Sequence, residues 1–147
     1  MRMNDLIQRV IRAYPDRRNP DCASAADVMR RLGVDPHCDM WMFYMAVNGA
    51  LPAVSGKHDL LRMVGPGIPK IPDQAEYIRD RYELPADFLP LSSDEGEGMY
   101  LYDVRTQEVH DYYLARHDQF LSGETPARWK NFVDFIAWYI NNDDRAA

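Results

Sequence analysis

Long apolar runs are missing from this sequence, and with them the means of crossing a bilayer as a helix. No stretch approaches the roughly 20 apolar residues that such a span needs. Basic charge is short as well: 17 Lys and Arg stand against 23 Asp and Glu, a net charge of −6. With a pI near 5.1 the chain lacks the basic face on which a duplex-DNA or RNA binder depends. Cysteine is scarce. Cys22 and Cys38 are the only two, neither sits in a CxxC pair, and both are expected to stay thiols packed as small hydrophobes. The start, Met1-Arg2-Met3-Asn4-Asp5, leads into an amphipathic segment and not into the apolar core of a signal peptide, so the expected compartment is the cytoplasm. Internal repeats and low-complexity tracts are absent, which leaves residues 1–147 as one domain. A chain of this length buries about 68–70% of its unfolded surface and needs neither a disulfide nor a metal to fold.

The organising stretch is Leu84–Leu114. Prolines 85 and 90 exclude helix from its apolar entry. The polar run Ser92–Gly98 is expected to be an exposed turn. Met99–Val104 is apolar on both faces, the pattern of an inner strand covered on both sides. Arg105–Glu108 connects it to a returning strand, Val109–Leu114, and the pair reads as the central hairpin of an antiparallel sheet.

Around the hairpin the spacing predicts helices. Leu6, Ile7, Val10, Ile11 and Tyr14 form a stripe with Asn4 as N-cap and Pro15 as stop. After a charged linker, Ser24 and Asp27 resemble a capping box for a helix through Leu32, with Gly33 at its C-terminal turn. Asp35-Pro36 opens a third helix, crowded by Met40, Trp41, Tyr44, Met45 and Val47 and closed by Asn48-Gly49; this stripe is read as core. His58–Val64 is the expected strand of an otherwise irregular stretch, and Gly65–Pro69 is a loop. A helix capped by Asp73 and Glu76 carries Ile78, Tyr82 and Tyr77 inward. Ala115–Glu124 has no assignable state. Thr125-Pro126 starts the last helix, whose face is Trp129, Phe132, Val133, Ile136, Tyr139 and Ile140, with a solvated end at Asn141–Asp144. The fold class expected is α+β: a single domain with a mainly antiparallel sheet wrapped by N-terminal, middle and C-terminal helices.

The order of Trp41, Tyr44, Asn48-Gly49, Leu84-Pro85, Gly98, Tyr100–Asp103, Val109, Tyr112 and Phe132–Ile136 resembles the SUKH superfamily, which includes bacterial immunity proteins and relatives of fungal cell-wall-assembly regulators. The likeness covers residues 35–140, with residues 1–34 as additional N-terminal helices. It consists of hydrophobic and turn positions, not of a catalytic signature. It departs at Ala50, where the family often has glycine, and at Trp129–Phe132, where the family's last helix usually opens with Ser-Phe. The resemblance implies an α+β fold and a binding role, often the neutralisation of a polymorphic toxin.

Candidate chemistry is sparse. The glycines at 65 and 67 make neither a P-loop nor a dinucleotide fingerprint, and HExxH and GxSxG are absent. His37, His58, His110 and His117 show no zinc spacing, and the acidic run lacks the alternating ligands of a calcium loop, so no metal and no cofactor is expected. Asp94, Glu95 and Glu97 are the residues expected to face a basic partner, with exposed hairpin tyrosines, Tyr100, Tyr102 and Tyr112, as anchors. Against that stands the plainer reading of these side chains as a solvated turn and as cross-strand packing. The expected function is a non-enzymatic protein-binding module, an immunity protein whose partner is a toxin domain, with neither nucleic acid nor membrane as partner. The alternatives are a housekeeping adaptor of the same fold and a small hydrolase using Asp103 or Asp111.

Overall fold

The computed structural model of the chain describes residues 2–51, 56–67 and 69–141. One sheet of three antiparallel strands lies at its centre in the order β1 (Phe88–Pro90), β2 (Gly98–Asp103), β3 (Val109–Tyr113). Its register pairs Leu89 with Tyr102 on one side and Tyr102 with Val109 on the other. Six α-helices accompany it among the described residues: α1 (Met3–Ala13), α2 (Cys22–Arg31), α3 (Asp39–Ala46), α4 (Ile71–Tyr82), α5 (His117–Ser122) and α6 (Phe132–Ile140). This is the expected α+β architecture, and the hairpin is its middle: every residue of β2 is buried.

Strand alternation divides the buried side chains between two cores. Leu89, Tyr100, Tyr102 and Val109 point to the face covered by α1, α3 and α6, and belong to the larger core with Leu6, Phe43, Phe132 and Phe135. Met99, Leu101 and Tyr112 point to the opposite face, where Ile78 and Tyr82 of α4 and Phe120 of α5 close a smaller core. Single bridges flank the sheet, Leu60 with Ser92 just after β1 and Trp129 with Val109 at the start of β3.

Several boundaries differ from the sequence expectation, at α2, α3 and α6 because another residue nearby provides the cap. Asn4 is inside α1, which begins after Arg2. Asp21, not Ser24, caps α2: its carboxylate accepts from the Ser24 amide (3.1 Å) and hydroxyl (2.7 Å), and the hydroxyl bond lowers its pKa. Asp35-Pro36 forms a turn, and α3 starts at Asp39 with the Cys38 sulfur accepting from the Trp41 amide at 3.4 Å. Asp73 lies in the first turn of α4 and accepts the Lys70 amide at 3.0 Å. Asn131 caps α6 through the Asp134 amide at 2.8 Å. The stretch before it is not helical, because Trp129 exchanges both backbone hydrogen bonds with Val109 (3.0 and 3.1 Å). Residues 58–64 make one bridge and no strand. Tyr14 and Tyr77 are exposed, and of the two thiols only Cys38 is buried. Residues 142–144 of the expected solvated end and position 68 of the expected loop lie outside the described residues.

The glycines of the resemblance pattern have packing reasons. At Gly49, φ is +93° and a Cβ would sit 2.4 Å from the Tyr44 ring and 2.8 Å from the Leu61 carbonyl oxygen. A Cβ at Gly98 would meet the Tyr113 ring at 2.9 Å.

Candidate functional site

The polar run before β2 is only partly the open turn expected from its composition. Ser92 is fully buried; its hydroxyl accepts the Tyr100 amide at 3.1 Å and donates to the Ser93 carbonyl. Asp94 is half-buried and accepts from Gln74 Nε2 at 3.1 Å and from the Tyr82 hydroxyl at 2.5 Å, which ties the run to α4. Together with burial, that bond raises the pKa of Tyr82. Asp94 is therefore a clasp between two elements, a role that accounts for this acid without a partner. Glu95 keeps 47% of its side chain exposed while touching Ser93 Oγ (3.2 Å) and His58 Nδ1 (3.5 Å). Glu97 is exposed at a left-handed φ of 62°. A short 3-10 turn over Glu95–Glu97 thus presents two carboxylates on an anchored base.

The hairpin tyrosines named as anchors are core residues. Tyr100, Tyr102 and Tyr112 are 2%, 1% and 2% exposed, because a strand covered on both faces has no outward position. Tyr100 stands among the rings of Trp129, Phe135, Trp138 and Tyr139, and its hydroxyl accepts the His58 amide at 3.0 Å. Burial pushes its pKa up to about 12. Tyr102 reaches the Cys38 sulfur at 3.6 Å. The Tyr112 hydroxyl pairs with His117 Nδ1 at 2.8 Å. Of the four hairpin tyrosines only Tyr113, at 48%, meets solvent.

A second feature lies at the far end of the smaller core. Phe88, Asp103 and His110 share the sheet face that α4 covers; His110 lies opposite Leu101, and the Phe88–Asp103 pair lies two positions further along. There the face opens into a hollow of about 560 Å³, bounded by Asp87, Arg105, Glu108, Phe120 and Thr125. Its floor is three rings in mutual contact: Phe88–Phe120 at 4.9 Å, His110–Phe120 at 5.1 Å and Phe88–His110 at 5.7 Å between centroids. Asp103 is buried and accepts the Arg105 amide at 2.9 Å; the Arg105 guanidinium bridges it (3.5 Å) to Asp87 (3.2 Å). Burial lowers the pKa of His110, outweighing the opposite pull of Glu108 and Asp103, which keeps the imidazole neutral near pH 7. Its Nδ1 and the Thr125 hydroxyl are buried without a hydrogen-bond partner. Asp111, the other acid considered for hydrolysis, faces the opposite side of the sheet and pairs with Arg128 at 2.7 Å. The two carboxylates are not brought together.

Sequence reasoning passed over this hollow because its walls come from β1, the β2–β3 turn, α5 and the segment before Trp129. The one local signal was His110, a polar residue two places before Tyr112 on a covered strand face. Among the described residues no group of three or more His, Cys, Asp or Glu is placed to hold a metal ion, and no helix is long and apolar enough to cross a membrane. Comparison with family models, curated proteins and solved structures finds no match, so the SUKH resemblance stands on the residue pattern alone.

Proposed function

We propose that this chain is a cytoplasmic protein-binding module of SUKH type, an immunity protein that docks on a basic toxin domain and masks its active site. The observation that carries the reading is the Glu95–Glu97 turn: two exposed carboxylates on a base fixed by the Asp94 clasp and the buried Ser92. Exposed carboxylates on an anchored turn steer a cationic partner toward one face. The net charge of −6 acts in the same direction, and a nuclease toxin, whose cleft grips a polyanion, has the complementary surface. The positions that carry the resemblance, among them Gly49, Gly98 and Tyr102, serve packing here, which agrees with a scaffold whose partner specificity lies in its exposed turns.

The test is capture of partners from the source cells by the tagged full chain and by the Glu95→Ser/Glu97→Ser variant, in low salt and again in high salt. The reading expects one stoichiometric partner carrying a basic toxin domain, released by salt, depleted with the variant, and inhibited on re-addition of the chain. An uninhibited housekeeping partner would replace immunity with an adaptor role. A toxin domain held equally by the variant would remove the turn from the interface.

A further inference from the structure

We infer that the hollow beside Asp103 is an anchor site for an arginine side chain presented on a short segment of a protein partner. This deepens the binding-module reading and rests on it for the source of the arginine, but the site has its own geometry. Three acids, Asp87, Asp103 and Glu108, line the hollow against one cation, Arg105, and with His110 neutral the lining carries a net charge of −2. Arg105 does not cancel this. It is the rim residue that holds Asp87 and Asp103 in place, at 3.2 and 3.5 Å.

The floor selects among cations. Phe88, His110 and Phe120 offer ring faces and edges next to carboxylates, a surface that suits a planar, weakly hydrated guanidinium better than a compact ammonium. Asp87 and Glu108 on the rim are acceptors only, and a guanidinium brings five N–H donors and no acceptor. An anion would meet the wrong charge, and a neutral apolar group would gain nothing from the rim carboxylates. The hollow, at about 560 Å³, has the volume of a small-ligand pocket and exceeds what one side chain fills, which is why a segment with its flanking residues is the occupant.

The experiment titrates the isotope-labelled full chain with N-acetyl-arginine amide and, in parallel, with N-acetyl-citrulline amide, which keeps the shape and removes the charge. Saturable amide shifts at Phe88, His110 and Phe120 with the arginine probe, and none or much weaker ones with citrulline, are expected. The Asp87→Asn/Glu108→Gln variant, which alters two rim carboxylates and spares the buried Asp103, should weaken the arginine probe about threefold or more. No saturable shift, equal shifts with both probes, or shifts elsewhere on the chain would overturn the inference. Capture of partners with the same variant separates the two readings. A partner held as strongly by the variant, with no probe binding, overturns the anchor and leaves the binding module standing. Probe binding that the variant loses, with no partner captured by the wild type, supports the site and counts against the module.

Discussion

Replacement of Asp94 by serine tests the division of the acidic run into a clasp and a contact surface. The substitution deletes the acceptor of two side-chain bonds, from Gln74 Nε2 at 3.1 Å and from the Tyr82 hydroxyl at 2.5 Å. Hydrogen bonds to a charged group contribute about 1.5–3 kcal/mol each, and the half-exposed position of Asp94 places these two near the lower end. The expected loss is about 3 kcal/mol. In a domain of this size each kcal/mol moves Tm by about 2–4 °C, so Asp94→Ser should lower it by roughly 6–12 °C. Urea unfolding followed by circular dichroism measures the loss directly, with an unchanged slope showing that the compactness of both states is kept. Tyr82→Phe removes one of the two bonds and should cost about half as much. Because both changes break the same bond, the double variant should cost little more than Asp94→Ser alone. Additive costs, or a Glu95→Ser/Glu97→Ser variant as unstable as Asp94→Ser, would refute the clasp.

Gly49→Ala combines a left-handed φ with a 2.4 Å clash against the Tyr44 ring and should cost about 3 kcal/mol or more, whereas Gly33→Ala, strained in φ but with open space around it, should cost about 1 kcal/mol; thermal unfolding of the two variants makes the comparison. The raised pKa of Tyr100 means that the folded chain keeps a proton the unfolded chain gives up, so stability should be full below pH 10 and fall as pH rises from about 10 toward 12, read as tyrosinate absorbance appearing together with unfolding. His110 has the opposite sense. Its lowered pKa means the unfolded chain binds the extra proton, so stability should fall as pH drops below about 6.5, and His110→Gln should flatten that slope in Tm measured between pH 7 and 5. Trp129→Ala removes a ring tilted against Trp138 (4.8 Å) and edge-to-face with Phe135 (5.0 Å) and Tyr100 (5.7 Å), and should destabilise by about 3–5 kcal/mol in chemical unfolding.

The sheet was legible because its signals are local. A run apolar on both faces, a short polar connection and a second apolar run specify β2, the turn and β3 within a few residues. The entry of β1 was readable from Pro85 and Pro90 as non-helical, but its pairing depends on Tyr102 thirteen residues beyond Leu89. Helices were recognisable by stripe and less so at their starts. Asp21, Cys38 and Asn131 cap in place of Ser24, Asp35 and Thr125, since several polar residues near each start could do so and tertiary packing chooses between them. Trp129 fits the spacing of α6 yet lies in a bridge, because its backbone is claimed by Val109. Ser92 and Asp94 read as solvated on composition alone, and only the approach of α4 and β2 reveals them as buried or clasped. The hollow was not legible at all. Phe88, His110, Phe120 and Thr125 are separated by up to thirty-seven positions and meet only through the order of the strands.

Docking through the acidic turn is decided by the affinity of the purified chain for its captured partner, measured against salt concentration for the wild type and for Glu95→Ser/Glu97→Ser. Wild-type binding should weaken steeply as salt rises, and the variant should bind more weakly in low salt with a flatter dependence, since the two exposed carboxylates supply the attraction. Identical affinities and identical salt slopes for the two proteins would contradict it and move the interface away from the acidic turn.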